Sequence, residues 1–166
     1  ESAGIKSFDE WIEKEAPLRV SVHQRGSGND EFNQRLLQEY GITYDDIESW
    51  GGSIFYLTES ESVNLIKDGQ LDGFFAGGAP PTANLIDLSL SHDLSFIEIK
   101  DEAIKAMSEK YAYPPITLPA GIYDFADEPY NTFSATIAII ASTDMLDSTA
   151  YNIVKAMDEN TDYLAD

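Results

Sequence analysis

The sequence predicts an α/β fold: a three-layer lobe with a mainly parallel, mixed sheet flanked by helices. Three observations predict it. Short apolar runs with strand-like alternation recur between stretches of helical spacing. Glycine-rich loops sit where two of those strands hand over to helices. Ser, Thr or Asn precedes most helical stretches and glycine follows several of them. Strands that alternate with helices return in the same direction, which builds a layered sheet.

Taken in order, Ser7 and Glu10 make a capping-box pair, and Phe8, Trp11 and Ile12 give an apolar stripe that Pro17 halts near Ala16. Residues 18–22 alternate apolar and polar and read as a strand. Residues 24–28 form a loop, and Asn29 is the expected N-cap of a helix carrying Phe32, Leu36, Leu37 and Tyr40, ended by Gly41. A second strand covers 53–57. Thr58 and Glu61 cap a helix bearing Val63, Leu65 and Ile66, closed by Gly69. A third strand covers 71–76, a tight loop 77–81, and a helix 82–91 with Pro80 or Pro81 in its first turn. A fourth strand is expected over 94–99 and a helix over 101–111.

The rhythm then breaks. Residues 112–128 hold Pro114, Pro115, Pro119 and Gly121 and read as an ordered surface loop. Residues 131–142 read as one long strand with Phe133, Ile137, Ile139 and Ile140. Asp147 is expected to cap a last helix that buries Tyr151, Val154 and Met157. No internal repeat or flexible linker interrupts the chain, so 1–166 reads as a single lobe.

Composition narrows the function. Thirty acidic residues against ten basic ones leave a formal charge of −20 over 166 residues. Such a field repels phosphate backbones and anionic lipid, so no nucleic-acid partner is expected. There is no cysteine, which excludes disulfides and thiol chemistry. The opening Glu-Ser-Ala-Gly reads as an internal piece of a longer protein.

The sharpest chemical feature is the loop Gly26-Ser27-Gly28-Asn29 between a strand and a helix. Glycines there let the backbone turn and present consecutive N–H groups at the positive end of a helix dipole, a cradle for a carboxylate or phosphate. Ser27 and Asn29 can add side-chain contacts, and Arg25 a forked donor pair. Plain turn chemistry is the competing explanation. A second such loop, Gly77-Gly78-Ala79-Pro80, leaves another strand, and neighbouring parallel strands release their loops onto one shared edge. Tyr123 either stacks on a ligand or packs in the core. His23, beside the first loop, either senses ligand charge or is structural. His92 is expected to cap a helix end, and Asp45, Asp46 and Glu48 to form a solvated acidic face. Neither dinucleotide nor P-loop fingerprints are complete, and no nucleophile, metal set or cofactor motif stands out. Binding, rather than catalysis, is the expected activity. An enzyme lobe using the Gly26–Gly28 loop for a phosphorylated substrate, or a non-transport sensor or interaction module, are the alternatives.

These pieces in this order resemble the second lobe of TAXI-type solute receptors, the substrate-binding proteins of TRAP transporters. The residues that carry the resemblance are Arg19 to Val22, Gly26 to Gly28, the helix end at Gly41-Ile42, and the segments 66–69 and 71–75. The loop 77–80, the run 118–123 and the strand from Thr132, with Tyr151 on the last helix, complete it. The resemblance implies a type II periplasmic-binding-protein fold in which two lobes close on a small carboxylate-bearing solute such as glutamate, glutamine or a dicarboxylate. It implies an extracytoplasmic location, with the missing first lobe of the same protein and the TRAP membrane subunits as partners, and leaves 131–166, the last strand and helix, either pairing with this sheet or returning toward the missing lobe near the hinge. Its binding residues fall on Ser27, Gly28, Asn29, Gly77, Gly78, Pro80 and Tyr123. This sequence departs from the family with Arg25 where Pro is usual and Asn29 where Thr is usual, so ligand identity does not transfer.

Overall fold

In the computed structural model, which describes residues 4–135 and 138–165, the chain divides at residue 135 into two units. The first runs α1 (Phe8–Lys14), β1 (Arg19–Ser21), α2 (Gly28–Glu39), α3 (Tyr44–Ser49), β2 (Ser53–Phe55) and α4 (Glu59–Lys67). It continues with β3 (Gly73–Phe74), α5 (Ala83–Ser89), α6 (Asp101–Tyr111), β4 (Pro115–Leu118) and β5 (Tyr130–Phe133). β1 is the middle strand of a parallel sheet ordered β2-β1-β3, with Val20 beside Ile54 and Gly73. β4 and β5 pair antiparallel. The predicted α/β fold class, a parallel sheet flanked by helices, is thus the one observed.

Alternation along β1 sorts the layers. Val20 faces the main core with Phe8 and Trp11 of α1, Leu36 and Leu37 of α2, Ile47 of α3 and Met107 of α6. Ser21 points the other way, where its hydroxyl accepts a 2.8 Å hydrogen bond from Ser62 of α4, both residues buried. Two small side chains meeting there let α4 lie close to the strand. A second cluster holds Leu85, Tyr123 and Ala126 against Phe74, Leu94 and Phe96. At the amino edge of the sheet, Arg19 grips Asp72 through Nε (3.0 Å) and a terminal nitrogen (2.7 Å). That fork holds the Asp72 carboxyl below the usual carboxylate range.

Several expectations need correction. Asn29 does not cap α2; Ser27 does, accepting from the Asp30 amide, and Asn29 is freed for another contact. Pro80 and Pro81 precede the cap Thr82 and stand outside α5. The strand expected at 94–99 reduces to one parallel bridge, Ser7 with Glu98, because only residues 6–8 offer it a pairing edge. Asp45, Asp46 and Glu48 lie exposed on α3, a helix the reading missed, with Thr43 and Asp46 as its capping box. The proline-rich stretch contains β4. Of the long strand expected over 131–142, the described residues show only β5, Tyr130–Phe133, after which the Ser134 amide donates to Pro114. Within that expectation Ile137 lies outside the described residues, and Ile140 is 92% exposed.

The second unit holds α7 (Asp147–Asp158) and α8 (Thr161–Ala165). Leu146 occupies the N-cap of α7, so Asp147 is its first helical residue. Tyr151 and Val154 are each 67% exposed and Met157 is exposed as well, against the expectation of burial. The unit by itself gives their apolar stripe no core to enter.

Three phenols in the first unit link stability to alkaline pH. Burial pushes Tyr40 up to about 12 and also raises Tyr130. Burial, then the hydrogen bond to Asp30, raises Tyr44. A group whose folded value is raised contributes stability that is complete below the unfolded value near 10 and is lost as pH climbs toward the folded one. Urea midpoints are therefore expected to hold steady up to about pH 9 and to fall steadily from about pH 10 to 12. A flat profile across that interval would contradict these environments.

Candidate functional site

Because β1, β2 and β3 run parallel, the loops leaving their carboxyl ends share one rim, and the two glycine loops meet there. The first loop turns through His23 and Gly26, both at positive φ (67° and 75°). Its Gly26 amide donates to Asp30 Oδ2 at 2.8 Å, and Oδ1 of that 2% exposed carboxylate accepts from the Tyr44 hydroxyl at 2.9 Å. The Ser27 amide donates to Gln24 and its hydroxyl caps α2. The amides of Gly28 and Asn29 find no acceptor among the described residues, as the first amides of a helix do not.

Asn29 joins the loops. A Cβ on Gly77 would lie 2.9 Å from Asn29 Nδ2, so glycine is what allows the contact. The same amide nitrogen stands 3.4 Å from His23 Nδ1. Glu59, the first residue of α4, closes the group. Its Oε1 accepts from the Gly77 amide at 2.6 Å and its Oε2 from Asn84 Nδ2 at 3.1 Å. Two of the glycine amides expected to be open are therefore already held by the chain's own carboxylates, Gly26 by Asp30 and Gly77 by Glu59. Those of Gly28 and Asn29 remain.

Arg25 sits at the outer side of this rim. Its guanidinium lies 4.1 Å above the Tyr56 ring in the loop after β2, and among the described residues it enters no ion pair. Most other Lys and Arg side chains bind a carboxylate, so Arg25 is a cation kept available and oriented by stacking. Gly78 (φ 116°) and Pro80 lie exposed farther along the second loop. Tyr123 is buried against Phe96 and Phe125, and its hydroxyl accepts from the Thr82 amide at 2.8 Å, bracing that loop from behind. The structure thus brings Arg25, Ser27, Gly28, Asn29 and Gly77 to one edge. It leaves Gly78 and Pro80 on the loop's outer span and engages Tyr123 within the fold.

Sequence reasoning missed Glu59 and Asn84. The signal was present: Glu59 directly follows the Thr58 cap at the end of β2, the third strand to reach that edge. A concavity of about 500 Å³ lies elsewhere, between α6 and the β4–β5 hairpin along Ile104, Lys105, Ile116 and Asn131. Among the described residues no three His, Asp or Glu side chains cluster as a metal site, and no helix is long and apolar enough to cross a membrane.

Gly77→Ala tests the loop contact directly. Its new methyl is expected to displace Asn29 and weaken ligand binding severalfold with little loss of stability. Adding Asn29→Ala should then cost less than it does alone, because the clash and the contact involve one pair. Strictly additive effects in a calorimetric double-mutant cycle would refute the contact.

The model of the NMT1-like family, a periplasmic-binding-protein-like family, matches residues 1–166, the whole length of the sequence. With an α/β fold whose strand-end loops gather polar groups at one rim, the chain belongs to the NMT1-like family.

Proposed function

We propose that the chain is the ligand-binding lobe of an extracytoplasmic solute receptor, that it serves a TRAP transporter of the TAXI type, and that its solute carries a carboxylate. Membership of a periplasmic-binding-protein-like family supports the solute-binding part of this reading. The observation that carries the carboxylate is Arg25: a stacked guanidinium with no ion pair among the described residues, three and four residues before the amides of Gly28 and Asn29. A carboxylate docked there takes two backbone N–H donors at a helix amino end and a forked partner, with Ser27 beside it. Each charge-assisted bond contributes roughly 1.5–3 kcal/mol. Closure of a second lobe over the rim, with Gly78 and Pro80 at its margin, buries the solute; opening releases it to the TRAP membrane subunits. No covalent step is involved.

The acidic surface opposes this capture at long range, since a charge of −20 slows an approaching anion. Salt screens that field over roughly 10 Å at 0.1 M. Association is therefore expected to speed up with moderate salt, while the short-range contacts persist. A thermal-shift panel of carboxylates, inorganic phosphate and amines on the protein at its full natural length tests the reading. A raised melting temperature with carboxylates alone supports it. A response confined to phosphate or amines overturns it.

A further inference from the structure

One polar pair at the rim is left incomplete by the chain itself. Nε2 of His23 is buried without a hydrogen-bond partner among the described residues and stands 3.9 Å from Glu59 Oε1, too far for a direct bond. The two side chains are only 13% and 15% exposed. Their neighbours set the roles they can play. Asn29 sets its side-chain amide 3.4 Å from Nδ1, and with the amide nitrogen on that side it donates, so that Nδ1 accepts and the ring proton falls to Nε2. Glu59 receives the Gly77 amide on one oxygen and Asn84 on the other, as an acceptor-only carboxylate does, and each oxygen keeps a lone pair. The gap therefore presents one donor, Nε2–H, and one acceptor, Oε1.

Few functional groups satisfy both. A guest carboxylate oxygen accepts from Nε2–H but cannot donate, and it meets the Glu59 charge. An ammonium donates to Glu59 but cannot accept from Nε2–H. A hydroxyl does both through one oxygen, and one oxygen at ordinary hydrogen-bond distance from each atom would bridge the 3.9 Å span. Resting on the carboxylate reading of this rim, we propose that His23 and Glu59 form a hydroxyl subsite. The solute is then a hydroxy-carboxylate, a small hydroxy acid or a sugar acid, rather than an amino acid or an unsubstituted dicarboxylate. Arg25 with the Gly28 and Asn29 amides holds the acid group, and the His23–Glu59 pair reads the hydroxyl. A site built to bond a hydroxyl rejects the analogue without it, because its own buried groups are then left unpaired.

Calorimetric titration of the protein at its full natural length with matched acids tests this. The sets are propionate, lactate and alanine; succinate, malate and aspartate; and hexanoate and gluconate. In whichever frame binds, the hydroxy member is expected to bind roughly 10- to 100-fold more tightly than its unsubstituted and amino counterparts. Glu59→Gln and His23→Phe should bring the ratio of hydroxy to unsubstituted affinity close to one. A purely structural role for the pair would lower both affinities together and leave that ratio unchanged. An unsubstituted or amino acid that binds as tightly as the hydroxy acid overturns the hydroxyl subsite and spares the carboxylate reading. So does an unchanged ratio in either variant. Absence of binding by every member overturns both. The ligand comparison on the unaltered protein stands even if a variant fails to fold.

Discussion

Trp11→Ala is expected to remove about 3–5 kcal/mol of stability from the first unit, the largest loss predicted for any single side chain considered. Trp11 is 1% exposed and lies at the junction of α1 with the sheet. Its ring meets Phe8 at 5.9 Å and the edge of Trp50 at 6.4 Å between centroids, and its Nε1–H donates to the Ala16 carbonyl at 3.0 Å. Alanine would leave a cavity too large for the surrounding helices to fill and would remove one of the two hydrogen bonds that the Ala16 carbonyl accepts. A domain of this size holds about 5–15 kcal/mol in all, so the variant should lie near its unfolding threshold at room temperature. Urea denaturation measures this. Ile140→Ala, at a fully open position, is the control and should shift stability by no more than about 0.5 kcal/mol. A Trp11 loss below about 1 kcal/mol would show that the core does not close around this ring.

Arg25→Ala should lower carboxylate affinity roughly 10- to 100-fold while leaving the urea midpoint almost unchanged. The side chain is exposed and its one described contact is the Tyr56 ring, so under the proposed function its loss removes a ligand contact and little else. Arg25→Lys should recover only part of the affinity, because an ammonium lacks the planar fork and stacks less well on Tyr56. Tyr56→Leu should fall between, since it removes the ring that orients the guanidinium at 4.1 Å. Equal affinity in the parent and Arg25→Ala would remove the central support for the carboxylate reading.

Much of the fold was legible because caps and period agree. Thr58 and Glu61 form the capping box that their spacing predicts, and Gly41 and Gly69 take positive φ just beyond helix ends. The meeting of the two glycine loops followed from parallel strand direction alone. The failures share a physical cause. Residues 94–99 and 131–142 carry strand-like patterns, but a strand also needs a partner with free edge groups, and pattern does not report partners. The run after Phe133 has β-branched residues in plenty, yet its described residues join no ladder. The cap of α2 was assigned to Asn29 because Ser27 and Asn29 are both good caps. In the structure the Ser27 hydroxyl accepts from the Asp30 amide, and Asn29 has Gly77 as a neighbour across the rim instead. Glu59 went unseen for a related reason: within the sequence it is an ordinary first-turn acid, and its role depends on contacts with Gly77 and Asn84, 18 and 25 residues downstream.

Asp30 has a consequence for tempo. It ties the Gly26 amide to the Tyr44 hydroxyl from inside the head of α2, so the first loop holds its shape with no guest present. A mouth already formed spends little time rearranging, and less binding energy is lost to ordering it. Encounter should therefore set how fast solutes are caught, and differences among them should show in how long each stays.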